Sequence, residues 1–233
     1  MKMNKRIIAI CFGILIMHVA RGQSKSDLIK DWTETKIDSE ELLTWEKWGK
    51  GEISKWRTAA CLKETDETSG VMLVSPKSYG EDVVVKYRTL ALTPATVIVM
   101  MLSVSNDGDT RALDIPQNYD GGIGPWLNEK ENYFFAYRNA PHGVKPFVRK
   151  NPNSSKPLIM AEENIMIPGL YYDVEIGRSG AMLWLTIDDK RVFEVEDENP
   201  LSGGHIAIRI RGTAGFKAAC MIKDFTVYSS NEE

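Results

Sequence analysis

Residues 171–211 read YYDVEIGRSGAMLWLTIDDKRVFEVEDENPLSGGHIAIRIR. Apolar and polar residues alternate in short runs: Tyr171 to Ile176, Met182 to Ile187, Val192 to Val195 and His205 to Arg211. A period of two is that of a strand with one face buried. In the last run Ile206, Ile208 and Ile210 take one side, and His205, Arg209 and Arg211 the other. Turn-forming residues stand between the runs: Ser179-Gly180, Asp188-Asp189 and Ser202-Gly203-Gly204. These residues supply the tight or left-handed backbone that reverses a strand.

The same pattern continues outward. Downstream lies a run from Phe216 to Tyr228; upstream lie Val71 to Val74, Val83 to Leu92 and Val97 to Val104. The run Val97 to Val104 is apolar on both faces, as in a central strand covered on both sides. Helical periodicity is nearly absent, with room for a helical turn within residues 27–49. Many short strands at regular spacing predict an all-β sandwich or barrel. No repeat or linker divides the chain, so residues 23–233 are expected to form a single domain. The stretches 106–131 and 139–168 read as long irregular loops, and such loops tend to carry function.

The chain begins with Lys2, Lys5 and Arg6, an apolar run from Ile7 to Ala20, and Ala20-Arg21-Gly22. This is the pattern of a secretory signal peptide over residues 1–22, and the run is short for a membrane span. An exported protein, periplasmic or secreted and without a membrane anchor, is expected. Loss of Lys2, Lys5, Arg6 and Arg21 takes the formal charge from −3 to −7. So acidic a chain is a poor partner for nucleic acid or an anionic membrane surface. Cys61 and Cys220, each after Ala-Ala, are either a disulfide pair or two buried thiols.

The segment Tyr171 to Tyr228, with its last strand in IKDFTVY, resembles the closing half of concanavalin-like jelly rolls. VSPKSYGEDVVVKYRTLALTPATVIVMMLSVSNDGD (residues 74–109), followed by YFFAYRN (133–139), resembles the YesU-like family. The likeness spans roughly Leu73 to Tyr228. It implies a two-sheet antiparallel jelly-roll sandwich whose concave face holds a carbohydrate. It also implies a role among bacterial polysaccharide-utilisation proteins.

One charge anomaly locates a candidate site. Asn132 to Ala161 contains no Asp or Glu, yet holds Arg138, His142, Lys145, Arg149, Lys150 and Lys156 beside Tyr133, Phe135 and Tyr137. Clustered cations are held against self-repulsion most easily by an anion. An acidic oligosaccharide or polysaccharide is the expected partner. In Asn132 to Arg138, Phe134 and Ala136 share one side, and the small Ala136 suits packing. Tyr133, Phe135 and Tyr137 are therefore expected to face a groove.

Arg, Lys, His and Tyr are the groups that β-elimination on a uronic acid requires. Cations neutralise the carboxylate while a base removes the neighbouring proton. His142 is the candidate base, Tyr137 the acid or second base, and Arg138, with Lys145 or Arg149, the carboxylate clamp. A carbon–oxygen lyase, either a lyase or a dehydratase of ulvan- or pectin-type oligosaccharides, is the expected enzyme. Arg209, Arg211 and Trp126 join Tyr133, Phe135, Lys145 and Arg149 as candidate substrate contacts. Each has a plainer role open to it: core aromatic, exposed strand face or turn.

Two other functions remain open. One is a retaining hydrolase using Glu175 or Glu163; the run Glu194 to Glu198 suits such a pair less well, since it reads as an acidic strand end. The other is a non-catalytic carbohydrate-binding module. Lys150 and Lys156 are expected in a solvated loop. Asn106, Asp107 and Asp109 echo the start of a calcium loop, but an Asn-Asp-Gly turn accounts for them. No metal and no cofactor is expected.

Overall fold

The computed structural model describes residues 28–65, 69–106, 113–139, 145–164, 166–213 and 215–230. The proposed signal peptide lies outside them. Strands follow one another as β1 (Thr33–Ile37), β2 (Glu46–Gly49), β3 (Gly51–Trp56), β4 (Ala59–Glu64), β5 (Val71–Tyr79), β6 (Val83–Ala91), β7 (Val97–Ser105), β8 (Glu131–Asn139), β9 (Phe147–Asn151), β10 (Ile159–Met160), β11 (Tyr171–Ser179), β12 (Met182–Ile187), β13 (Lys190–Glu196), β14 (Gly204–Arg211) and β15 (Ala219–Ser229). Among the described residues, short helices α1 (Ser39–Leu43) and α2 (Gly124–Asn128) join them. The α1 helix starts where the side chain of Asp38 accepts hydrogen bonds from the backbone of Glu40 and Glu41.

The strands form two antiparallel sheets. Sheet A runs β13-β12-β11-β6-β15-β4-β3, with β1 added on β15; sheet B runs β10-β9-β8-β7-β14-β5-β2. This is the expected two-sheet sandwich. The alternation in β14 falls as read: Ile206, Ile208 and Ile210 enter the core between the sheets. Strand β7 is central in sheet B and buried on both faces, with Ile98, Met100 and Leu102 inward and Val99 and Met101 outward. Each buried aliphatic side chain contributes roughly 1.5–3 kcal/mol, so this layer is the main source of stability. Among the described residues no helix is long and apolar enough to cross a membrane.

Part of the 139–168 stretch is strand rather than loop. Phe147–Asn151 pairs with β8, placing Arg149 opposite Phe134 and Lys150 opposite Tyr133. Lys150 is therefore not a solvated loop residue, whereas Lys156 is exposed. Residues 113–130 of the 106–131 stretch contain α2 and pack apolar side chains on the outer face of sheet B.

Strand β8 faces opposite to expectation. Tyr133, Phe135 and Tyr137 all point into the core, and Phe134 and Ala136 point outward. Sheet A and the loop after β13 supply a partner for each inward ring. Phe135 stacks on Phe193 at 6.3 Å, and the Tyr137 hydroxyl bonds that of Tyr87. Tyr133 donates to the Asp197 Oδ2 at 2.7 Å and accepts from the Leu201 backbone N–H at 2.9 Å. Ala136 is small because Phe147 lies directly opposite it on β9.

The cysteines do not pair. Cys220 faces the core opposite Leu62, while Cys61 neighbours Met221 on the other side of the same sheet. Adjacent positions on strands point to opposite faces, so no rotamer joins them. Thiol titration of protein purified without reductant and then unfolded should count both Cys61 and Cys220 as free. A disulfide between them by mass spectrometry would contradict this register.

Asp197 is mostly buried, which alone would raise its pKa. The Tyr133 hydroxyl, Lys150 Nζ at 3.0 Å and the Asn199 backbone N–H more than offset this and hold its carboxyl below the ordinary carboxylate range. A native pKa below the unfolded one contributes stability above about pH 4, lost as pH falls through the native value. Asp197→Asn should therefore cost about 1–3 kcal/mol at neutral pH. The gap from wild type should close in acid, as denaturant titrations at several pH values would show.

Candidate functional site

The outer face of sheet B carries the candidate site. Its strands present Trp48, Met72, Val74, Val99, Met101, Phe134, Ala136 and Ala207, far too apolar a surface to stand in water unpartnered. A strap, residues 113–130, covers part of it. Trp126, fully buried in the middle of α2, stacks on Trp48 with centroids 5.2 Å apart. Its Nε1 donates to the Tyr119 hydroxyl at 2.6 Å, and its carbonyl accepts from the Asn132 side chain at 2.7 Å. Trp126 thus secures the strap rather than offering its ring to a ligand.

Arg209 fastens the strap to the sheet. Its Nη2 donates to the Ser69 carbonyl at 2.7 Å and to the Gly121 carbonyl at 2.8 Å. It is only 2% exposed, and burial lowers its pKa. The strap lies so close here that a Cβ on Gly121, at φ +93°, would fall 1.9 Å from the Gly70 carbonyl oxygen. Only glycine fits both that backbone and that gap.

Beyond Arg209 the face is open. A groove of about 590 Å³ has Val97, Val99, Phe134 and Ala136 as its floor. Ile123 of the strap and Phe147 of β9 flank it, and Arg209, Arg211, Lys217 and Phe216 stand at its other side. Phe216 is 69% exposed, unusual for so large an apolar ring. Phe134 and Phe147 stack with centroids 6.2 Å apart, and the Arg149 guanidinium lies 5.6 Å over the Phe147 ring. Arg149 and Arg209 each keep an Nε–H that is buried and has no acceptor.

Among the described residues that line the groove, Glu64 carries the carboxylate. It is 4% exposed, and its Oε2 accepts the backbone N–H groups of Gly212 and, at 2.8 Å, Ala218. It tethers the 212–218 segment. No cluster of three or more His, Cys, Asp or Glu that could hold a metal exists among the described residues. Asn106, at the start of the suggested calcium loop, bonds Asp114 and Lys130 instead; Asp107 and Asp109 lie outside the described residues.

The outer face of sheet A differs in its electrostatics. Glu175 accepts from Trp184 Nε1 at 2.6 Å, with Lys86 at 3.0 Å and Arg191 at 3.9 Å. Arg191 also reaches Glu194 at 3.8 Å, and Arg88 meets Asp173 at 3.0 Å. Cations and carboxylates neutralise one another there. Glu163 is exposed and lies 3.9 Å from Lys190.

The predicted site residues therefore separate. Arg149, Arg209 and Arg211 share the outer face of sheet B. Trp126 lies over that face as part of the strap, with its ring buried against Trp48. Tyr133, Phe135 and Tyr137 are sealed in the core, and burial with the Tyr87 hydroxyl pushes the Tyr137 pKa well up, away from acid–base duty near neutrality. Lys145 is exposed ahead of β9 and does not line the groove. His142 lies outside the described residues, as does the side chain of Arg138. Phe134, Phe147 and Phe216 were missed. For Phe134 the alternation of β8 is the available signal, with its two faces exchanged; Phe147 and Phe216 lie off that strand.

No protein-family model matches the sequence, and no curated protein matches it, so the YesU-like resemblance has no family model behind it. The fold is similar to that of solved structures. One is a protein of unknown function with a galectin-like fold from Bacillus subtilis, with 14% identity, TM-score 0.71, and 87% of this chain and 100% of that chain covered. Another is a carbohydrate-binding module from Bacillus subtilis, with 12% identity, TM-score 0.55, and 84% and 95% covered. A third is a prokaryotic β-1,3-1,4-glucanase (lichenase) from a mouse hindgut metagenome, with 13% identity, TM-score 0.59, and 85% and 100% covered. These likenesses show an all-β concanavalin- or galectin-like jelly roll. They correct the expectation of a carbon–oxygen lyase. The lichenase is a hydrolase, as is a glycosidic hydrolase that is also similar, with 11% identity, TM-score 0.59, and 86% and 96% covered.

Arg209 and Arg211 are neighbours on one strand face but bear different loads. Arg209→Met should lower stability by about 2–4 kcal/mol, because two buried carbonyls lose a charged donor. Arg211→Met should change it by less than about 0.5 kcal/mol. Urea denaturation of the two variants would test this, and equal effects would contradict the fastening role of Arg209.

Proposed function

We propose that this protein binds an acidic oligosaccharide or polysaccharide in the groove on the outer face of sheet B. The carrying observation is the composition of that groove: an apolar, partly aromatic floor and flank beside Arg209, Arg211 and Lys217. Aromatic faces complement the C–H faces of sugar rings, and guanidinium groups complement carboxylate or sulfate. A carbohydrate-binding module and glucanases among the similar structures support a saccharide as the ligand class.

Binding without hydrolysis is the better reading of this groove. Retaining hydrolysis needs two carboxyl groups about 5 Å apart, one of them free to attack. Glu64 has Oε2 committed to two backbone donors. Glu175 and Glu194 stand on the outer face of the other sheet among cations. The signal-peptide pattern at residues 1–22 supports a site of action outside the cytoplasm, where polysaccharides are met.

Phe216→Ala tests the groove with little risk to folding, since the ring is exposed. Titration calorimetry against a panel of acidic glycans should show an affinity loss of about fivefold or more, with Tm unchanged. No new reducing ends should appear on incubation with the bound glycan. Full affinity in Phe216→Ala would remove the groove from the proposal. Reducing ends that appear with wild type and vanish in Glu64→Gln would replace binding by hydrolysis.

A further inference from the structure

The outer face of sheet B holds cations at two separated places. Arg209 and Arg211 lie on β14; Arg149 lies on β9, opposite Phe134 and thus on the same face. Pairing runs from Arg209 to Val99, from Val99 to Ala136, and from Ala136 to Phe147. Arg149 is two residues along β9 from Phe147. Three strand spacings of about 4.8 Å and two residues of about 3.3 Å put the Arg149 and Arg209 Cα atoms roughly 16 Å apart. The floor of the groove, with the stacked Phe134 and Phe147, lies between them.

Three observations make these cations more than solvated surface. Arg149 and Arg209 both have a buried Nε–H without an acceptor, a cost that a ligand oxygen would remove; Arg88 and Arg191 on sheet A also keep a buried N–H without one, so the contrast between the faces lies in the carboxylates. On sheet A, Arg88 and Arg191 each have a carboxylate within 4 Å. No ion pair to Arg149, Arg209 or Arg211 occurs among the described residues, although the protein as a whole is acidic. Finally, both groups border the same aromatic strip rather than separate surfaces.

We infer that this face binds a polyanionic glycan lying across strands β14, β7, β8 and β9, with one negative group at Arg209 and Arg211 and another at Arg149. This rests on the saccharide-binding reading above and deepens it. The ligand class is a chain with repeated acidic substituents, not a neutral glycan carrying one acidic end. Arg209 serves through its Nε–H while its Nη2 keeps the strap. Arg211, exposed at the rim, reaches the same negative group. Arg149 holds the far end, and the sugar rings between them rest on Phe134 and Phe147.

The test is calorimetric titration of the whole protein with polygalacturonate, alginate and chondroitin sulfate fragments. Each is supplied as disaccharide and octasaccharide, with polyglutamate and neutral cello-oligosaccharides as controls. For at least one acidic glycan the octasaccharide should bind about tenfold or more tightly than the disaccharide, and its affinity should fall with added salt. Arg149→Gln should weaken the octasaccharide about fivefold or more and leave the disaccharide unchanged. Arg211→Gln should weaken both. Thermal melting of each variant, expected to match wild type, separates lost contacts from lost fold.

Acidic glycans that bind with no dependence on length, or an Arg149→Gln variant with wild-type affinity for every fragment, would overturn the two-seat arrangement and leave saccharide binding intact. Polyglutamate binding as tightly as the best octasaccharide would overturn both readings, since charge alone would then suffice. Absence of binding to every acidic fragment would overturn both as well.

Discussion

The contact between the Tyr133 hydroxyl and the Asp197 carboxylate crosses the sandwich and fixes which face of β8 looks outward. A strand has only two settings, because a shift of one residue exchanges its faces. Turning β8 over would place Phe134 and Ala136 in the core and expose three large aromatic rings. It would also strand the Asp197 carboxylate beside Lys150 without its hydroxyl donor. A buried carboxylate losing a bond costs more than the bond itself contributes, because its desolvation is no longer compensated. Everything outward follows from this setting. Ala136 leaves room for a groove, Phe134 meets Phe147, and Arg149 joins the same face.

The two outer faces solve the same problem differently. Sheet A covers its outer face with ion pairs and cation–π contacts, as where Arg191 lies 5.5 Å over Trp184 and reaches Glu175 and Glu194. Such pairs contribute little stability each, but they set carboxylates beside Lys86, Arg88 and Arg191. Sheet B instead buries part of its outer face under the strap and leaves the rest apolar with cations at the edges. An open apolar strip costs solubility and unpaired arginines cost solvation. That cost is most simply understood when a ligand supplies both a hydrophobic surface and negative charge.

Much of the fold was legible in the sequence because burial writes a period of two into strands. The isoleucines of β14 and the doubly apolar β7 needed nothing else. The site was legible only in part. Arg149, Arg209 and Arg211 were visible as cations on the polar side of their strands or in the acid-free window. The side of β8 was not, because Tyr133-Phe134-Phe135-Ala136-Tyr137 is apolar on both faces and its hydroxyl partners Tyr87 and Asp197 lie 50 and 64 residues away. Strand β9 was hidden because its polar Arg149 and Lys150 take opposite faces, one toward the groove and one toward Asp197. The strap was hidden for a similar reason. Trp126 and Trp48 are far apart in the chain, and only the fold stacks them.

Arg209 stands where the covered and open parts of sheet B meet, and under the proposal above one residue serves both. A guanidinium has five N–H donors in a rigid plane. Nη2 is spent on two backbone carbonyls, which holds the plane in place and fixes the strap at Gly121. Because the plane is held, the direction of Nε–H is fixed before a ligand arrives. A donor set in advance loses little conformational entropy on binding. A lysine at this position would meet the same carbonyls with a single rotatable ammonium and could not keep a second direction fixed. On the proposed reading, the same burial that makes Arg209 expensive to fold would make it efficient as a fixed donor at the edge of the groove.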